Sequence, residues 1–190
     1  MKKNKMLFIF SLLVATFVIY YLPKATADHY SGGFASGHLT YGIGNGSSAT
    51  NAVMAASQWN GVSSNVSLTY SSATNTYGST AHIVTYFNHV SAPTSGDWGY
   101  AYLYKSYTGT SALLATENDT FVKAILYQYI HPDLNTSDKQ IHTSTHEFGH
   151  ALSVAHPSWN AGYAVMNQGV STNYSLQSYD TLSLKDKWGN

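Results

Sequence analysis

The feature that most constrains this chain is the pattern HExxHxxxxxH, formed by His146, Glu147, His150 and His156. His146 and His150 are four residues apart, so on an α-helix both imidazoles leave the same face and can share one metal ion. Glu147 projects about 100° further round that helix, where it can reach a water molecule beside the metal without being a ligand. A continuous helix would point His156 away, so the chain must turn before it, and the following Pro157 is typical of a helix that has ended.

This pattern is too rare to be a by-product of helix packing. The 190 residues include nine histidines, and the only glutamates are Glu117 and Glu147, so chance would produce HExxH about 0.004 times. Three histidines with an open fourth position are a ligand set of catalytic zinc. The sequence therefore predicts zinc bound by His146, His150 and His156, with Glu147 as the general base.

Residues 1–27 have the organisation of a secretory signal peptide. A start rich in lysine is followed by an apolar run at residues 7–22 and by a small-x-small cleavage site at residues 25–27. The apolar run is short for a membrane span, so we expect cleavage, with an uncleaved anchor as the alternative. Residues 28–190 would then form one domain, large enough for a core of its own.

Composition excludes several functions for residues 28–190. They carry five lysines against nine acidic residues, a net charge of about 5 − 9 = −4, and no arginine. Nucleic-acid binding would require clustered basic residues. The chain has no cysteine, so neither disulfides nor a thiolate metal site is available. We expect a secreted, extracellular protein of bacterial type that acts as a monomer on protein or peptide substrates, without a nucleic-acid partner or stable membrane association.

The hydrophobic patterns predict five strands and two helices. The segment between the fourth and fifth strands is rich in serine, threonine and glycine and is expected to be a loop. Ser47 or Ser48 is expected to cap the first helix, and Ser137 to open a capping box at the start of the helix that carries the histidines. The predicted strands are 39–43, 66–70, 83–87, 100–104 and 121–130, and the helices are about 48–60 and from 137 onward.

These residues resemble the metzincin superfamily of zinc endopeptidases, closest to the secreted matrixin-like metalloproteases. The family pattern is HExxHxxGxxH followed by a turn that contains methionine. The metal residues match at His146, His150 and His156, the base matches at Glu147, and the turn matches at Met166 within Ala-Val-Met. The resemblance is close from about residue 141 to 166 and looser before it.

The resemblance implies an α+β fold with a cleft. A twisted five-stranded mixed sheet and two long helices would form an upper part, residues 28–156. A smaller lower part, residues 157–190, would be mostly irregular with one final helix near residues 180–188. Zinc would lie between the two parts, above an apolar floor supplied by Met166. A peptide substrate would pair as an extra strand with Gly99–Tyr104, by analogy with the edge strand of the family.

Two positions depart from the family pattern. Ser153 stands where the family has glycine, at a turn that often needs φ > 0, which costs serine about 1 kcal/mol. Gln168 stands two residues after Met166, where some branches carry a tyrosine that assists the metal. Glutamine at this position indicates the branches whose zinc is bound by three histidines and water alone.

Other histidines and acidic residues are weaker candidates. His142 precedes His146 by four residues, but three turns of one helix cannot converge on one ion, so we expect His142 behind the ligands or at the surface. Calcium or a second zinc, common in matrixins, has little support, because scattered loop residues of this kind are usually solvated. The residues that hint at such a site are His82, His89, Asp97, Asp119 and Asp133.

Three alternatives compete with a metalloprotease that binds zinc through three histidines. Enzymes that take a downstream glutamate as third ligand are excluded, since no glutamate follows Glu147. A secreted zinc-binding module that recognises peptides or surfaces without cutting them is favoured only by Ser153, and the intact Glu147 argues against it. A zinc hydrolase of a non-peptide amide, such as cell-wall material, remains a further alternative.

Overall fold

The computed structural model describes residues 27–72, 80–108 and 111–190. The predicted signal peptide, residues 1–27, lies outside these ranges except for Ala27. The described residues form an α+β fold with one mixed sheet and three helices, which confirms the predicted fold class. None of these three helices combines the length and hydrophobicity that a membrane crossing requires.

The strands and helices lie close to the predicted ranges. The final helix begins two residues earlier than expected. The strands are β1 (Gly37–Ile43), β2 (Val66–Tyr70), β3 (Ile83–Ser91), β4 (Gly99–Tyr107), β5 (Ala112–Leu114) and β6 (Lys123–Ile130). The helices are α1 (Ala49–Trp59), α2 (Ser137–Ala151) and α3 (Ser178–Trp188).

The sheet has the strand order β2-β1-β3-β6-β4-β5. Strands β2, β1, β3 and β6 are parallel, whereas β4 runs antiparallel to β6 and to β5. The sheet therefore has one strand more than predicted, because β5 lies in the segment expected to be a loop. Its three residues are exposed, and so short a strand leaves no alternating pattern to detect.

Helices α1 and α2 pack together against the sheet. The spacing i, i+3, i+4, i+7 predicts an apolar stripe on α1, formed by Ala52, Ala55, Ala56 and Trp59, and these residues are fully buried. The indole Nε1 of Trp59 donates to the carbonyl of Thr145 on α2 (3.0 Å). Ser48 caps α1 as expected, accepting from the backbone N–H of Asn51. Helix α2 is capped by Thr136, one residue before the predicted Ser137. A threonine hydroxyl satisfies the same backbone donors, so the shift leaves the helix start unchanged.

Candidate metal centre

Helix α2 turns one face to the core and another to a cleft. Ile141 and Phe148 are buried in the core, with Leu152 just beyond the helix end. The helical spacing that buries these residues directs His146 and His150 to the cleft side. Helix α2 is thus divided into an apolar stripe towards the core and a stripe with His146 and His150 towards the cleft.

A tight turn after α2 brings His156 back towards the helix. The backbone N–H of Ser153 donates to the carbonyl of His150 (3.0 Å), and Val154 donates to Gly149 (2.9 Å). Ser153 has φ = 67°, the left-handed backbone expected at the family's glycine position. A Cβ added to the neighbouring Gly33 would collide with the Ser153 hydroxyl oxygen. The chain accommodates serine in this turn because residue 33 has no side chain.

The structure brings together His146, His150 and His156. Their Nε2 atoms are separated by 2.9 Å (146 to 156), 3.1 Å (146 to 150) and 3.1 Å (150 to 156). Tetrahedral zinc with bonds of about 2.0–2.1 Å places two ligand nitrogens about 3.3 Å apart. Three ring nitrogens at these separations could hold one metal ion.

The hydrogen bonds of the rings leave the Nε2 lone pairs free. Nδ1 of His146 lies 2.8 Å from the carbonyl of Val165, and Nδ1 of His150 lies 3.1 Å from the carbonyl of Val154. A carbonyl only accepts, so each Nδ1 carries the proton and each Nε2 is a potential ligand atom. Burial, and then the neighbouring His156, lowers the pKa of His150 to about 3. Burial likewise lowers the pKa of His146, and neutral imidazole is the form that binds metals.

The carboxyl group of Glu147 faces the same cleft. Glu147 is only 4% exposed. This burial raises the pKa of its carboxyl group well above the ordinary value. A cation bound by the triad would act in the opposite direction and favour the carboxylate. A Cβ added to Gly99 of β4 would lie 2.5 Å from Oε1 of Glu147. The absence of a side chain at residue 99 thus keeps the space in front of the carboxyl group open.

Strand β4 forms one side of the cleft, a cavity of about 390 Å³ that Glu147 and the three histidines also line. The carbonyl of Trp98 accepts from Tyr129 of β6 (2.9 Å). Antiparallel alternation therefore turns the backbone groups of Gly99 and Ala101 away from β6. Leu103 is the next residue of β4 whose backbone groups point away from β6. Its carbonyl accepts from the backbone N–H of Ala115 (2.8 Å).

The lower side of the centre depends on a buried carboxylate that the sequence did not identify. Asp180 of α3 is fully buried and accepts from the backbone N–H groups of Val165 (2.9 Å), Met166 (3.1 Å) and Gln177 (2.8 Å). These bonds fix the turn whose Val165 carbonyl accepts from His146. Met166 is itself buried against Gly149, where an added Cβ would collide with the methionine sulfur.

Two further side chains contact the histidines. The hydroxyl of Tyr30 lies 3.0 Å from Nδ1 of His150, and Nε2 of Gln168 lies 3.4 Å from Nδ1 of His156. With a metal on Nε2, Nδ1 of His156 would carry a proton, so Gln168 would have to present its amide oxygen there. The sequence indicates Gln168 by its position two residues after Met166, although not its contact with His156. No local pattern indicates Tyr30, which is 120 residues from its partner.

The other candidates do not join the triad. His142 is buried rather than at the surface. Within the described ranges, the triad is the one group of three or more His, Asp or Glu side chains placed to hold a metal. Several of the calcium candidates are hydrogen-bonded to other side chains. His82 contacts the hydroxyl of Thr40, and the carboxylate of Asp119 accepts from Lys105.

Comparison with known proteins adds evidence on the fold. No protein-family model and no curated protein matches the chain. Among solved structures, a structure of myroilysin has a TM-score of 0.50 at 16% identity, covering 84% of this chain and 97% of that one. A crystal structure of myroilysin has a TM-score of 0.52 at 15% identity, covering 84% of this chain and 87% of that one. At these identities the likeness shows a shared fold.

Proposed function

We propose that the protein is a secreted zinc endopeptidase of the metzincin type, close to the matrixin-like enzymes. The observation that carries the proposal is the convergence of three Nε2 atoms at 2.9–3.1 Å beside the carboxyl group of Glu147. Myroilysin, which shares the fold, is a metalloprotease. The metal ligands are His146, His150 and His156.

The roles of the residues follow from their positions. When bound, zinc would lower the pKa of a water molecule and polarise the scissile carbonyl. Glu147 accepts the proton of the attacking water and passes it to the leaving amine. Burial raises the pKa of Glu147 above that of an ordinary carboxyl group, which helps it hold the proton between the two transfers. The carbonyls of Val165 and Val154 hold two of the imidazoles in the tautomer that exposes Nε2.

The substrate is proposed to bind along β4. The backbone groups of Gly99 and Ala101 that point away from β6 line the cleft, where an extended peptide can add to the sheet. Ala101→Pro removes one backbone donor, so it should raise KM for peptides and leave zinc content unchanged. Unchanged peptide kinetics would refute this mode of binding.

Export and a single catalytic domain of residues 28–190 belong to the same proposal. Asp28 is part of the folded domain, because its carbonyl accepts from the backbone N–H of Ala155 (3.1 Å) and its carboxylate accepts from the backbone N–H of Ser158 (2.9 Å). Both partners flank His156. N-terminal sequencing of protein from culture medium should give Asp28 as the first residue.

The test is hydrolysis of casein and gelatin by the purified chain, with and without a chelator. We expect cleavage that the chelator abolishes and that zinc restores better than calcium. Cell-wall material serves as a parallel substrate. Zinc binding without any hydrolysis would favour a recognition module, and digestion of cell wall alone would favour a hydrolase of non-peptide amides.

A further inference from the structure

The segment formed by residues 28–33 contacts both the turn after α2 and the last helix, α3. On the side of the turn, the backbone N–H of Tyr30 donates to the carbonyl of Ser153 (2.8 Å). This is the turn that returns His156 to the metal centre. Residues 28–33, which we call the N-terminal segment, are therefore part of the structure that surrounds the three histidines.

Tyr30 extends from this segment to a metal ligand. Its hydroxyl lies 3.0 Å from Nδ1 of His150, and the two rings are stacked with centroids 6.0 Å apart. Nδ1 of His150 also lies 3.1 Å from the carbonyl of Val154, and with a metal on Nε2 it would carry the proton. The Tyr30 oxygen then accepts from Nδ1 beside the Val154 carbonyl. Acceptors placed in this way orient the imidazole and strengthen Nε2 as a ligand atom.

Lys187, in the last turn of α3, holds the backbone of the N-terminal segment. Its ammonium group donates to the carbonyls of Tyr30 (2.9 Å), Ser31 (2.9 Å) and Gly32 (2.6 Å). An ammonium group has three N–H donors, so these three carbonyls use all of them. Hydrogen bonds from a charged donor are stronger than those between neutral groups. The last helix is thus joined to the residue that contacts His150.

Two glycines allow the chain to wrap around the ammonium group. A Cβ added to Gly32 would collide with the backbone carbonyl oxygen of Asp119. Gly33 has φ = 146°, a conformation that favours glycine, and a Cβ there would collide with the hydroxyl oxygen of Ser153. Side chains at these two positions would push the segment away from its neighbours and displace its carbonyls from Lys187.

We propose that Lys187 is a positioning residue of the metal centre, which holds Tyr30 against His150 so that α3 contributes to the retention of zinc. The proposal rests on the proposed function, because it concerns the ligands assigned there. It adds a path of contacts from Lys187 through Tyr30 to His150 that lies outside the histidine motif. Its distinctive consequence is that the effect of Lys187 on zinc binding requires the hydroxyl group of Tyr30.

The experiment measures zinc dissociation constants by competition with a chelator for Lys187→Met, Tyr30→Phe and the double variant. Methionine keeps most of the apolar stem of lysine without its donors, and phenylalanine keeps the ring without its hydroxyl. We expect Tyr30→Phe to weaken zinc binding about 10-fold, the usual effect of removing a hydrogen-bond partner of a ligand. Lys187→Met should weaken it at least about 3-fold, since it acts through the same ligand. The double variant should match Tyr30→Phe, because the two losses are not additive.

Lys185→Met is the matched control, since Lys185 lies on the same helix and is exposed. It should bind zinc as tightly as the wild type. The cobalt(II) form of each protein gives a second measurement, because its absorption bands report the geometry of the three ligand nitrogens rather than the stability of the fold. Lys187→Met and Tyr30→Phe should shift these bands in the same direction, and Lys185→Met should leave them unchanged.

Unchanged zinc binding in folded Lys187→Met would overturn the proposal. A double variant weaker than Tyr30→Phe by the full factor of Lys187→Met would overturn it too, because Lys187 would then act independently of Tyr30. If Lys187→Met fails to fold, Lys187→Gln, which keeps an amide donor, takes its place with the same outcomes. These measurements are separate from hydrolysis. A chain that follows the expected pattern of zinc binding but cuts no peptide would refute the proposed function and leave the role of Lys187 in place.

Discussion

The two sides of the cleft are held in place by different means. The upper side is α2, whose helical repeat buries one stripe of side chains and thereby orients His146 and His150. The lower side, residues 157–177, contains no helix or strand. Its position depends on single polar contacts, above all those of Asp180. One metal centre is thus specified by a repeating pattern on one side and by individual side chains on the other, so substitutions on the two sides should differ in effect.

Removing the carboxylate of Asp180 should have the largest effect on stability. Asp180→Ala leaves two buried N–H groups, those of Val165 and Met166, without their acceptor. We expect the free energy of unfolding to fall by about 3–5 kcal/mol in chemical denaturation, because each unpaired buried group costs about 1–3 kcal/mol.

Asp138→Ala is the control for this loss of charge. Asp138 lies in the exposed first turn of α2, and its removal should change stability by no more than about 0.5 kcal/mol. Equal losses in the two variants would mean that the lower side does not depend on Asp180.

The contact between the two sides can be tested at Gly149. Gly149→Ala forces a methyl group into the sulfur of Met166 and the ring of Trp59. Overpacking a tight interface typically costs about 1–3 kcal/mol, and we expect about 2 kcal/mol here. Gly96→Ala is the control, since nothing lies within 4 Å of an added Cβ there. Thermal unfolding of both variants gives the difference, and a Gly149→Ala protein as stable as the control would contradict the packing described.

The upper side should also impose a pH dependence through His142. Its pKa is about 4 in the folded protein and near 6.5 in an unfolded chain. As the pH falls below 6.5, the unfolded chain binds a proton that the folded chain takes up only near pH 4, so stability decreases through this window. From pH 7 to pH 5 the loss due to His142 is about 2 kcal/mol.

Denaturation with a chelator present, at pH 7 and at pH 5, isolates this contribution from metal release. The decrease in stability should be smaller by that amount in His142→Leu than in the wild type. An identical decrease in both proteins would show that His142 does not titrate in this way.

The smallest effect is expected at the turn that joins the two sides. Ser153→Gly removes left-handed strain and an unpaired hydroxyl but makes the unfolded chain more flexible. It should be neutral or stabilising by up to about 1 kcal/mol, with activity retained. Ser153→Ala keeps the backbone strain and removes only the hydroxyl, so it separates the effect of the strain from that of the hydroxyl. A marked loss of zinc or stability in Ser153→Gly would show that serine is required in this turn.

The sequence predicted the parts of the fold that repeat. Helix α2, the stripe of α1 and the left-handed turn at Ser153 follow from spacing and motif, because local geometry determines them. Asp180 and Tyr30 could not be predicted in this way, since each acts on residues distant in the sequence. Strand β5 was missed because three exposed residues carry no pattern. The burial of His142 depends on the tertiary packing around α2, which no helical repeat encodes.

The central claim is that the three histidines bind zinc while Glu147 transfers protons without binding it. Zinc stoichiometry and proteolysis, measured together on Glu147→Ala and His156→Ala, test it directly. Glu147→Ala should fold, retain about one zinc per chain and lose at least about 10²–10⁴-fold in kcat. His156→Ala should lose both tight zinc binding and activity, because two ligands on one helix make an incomplete site. Zinc bound by His156→Ala as tightly as by the wild type would contradict this account.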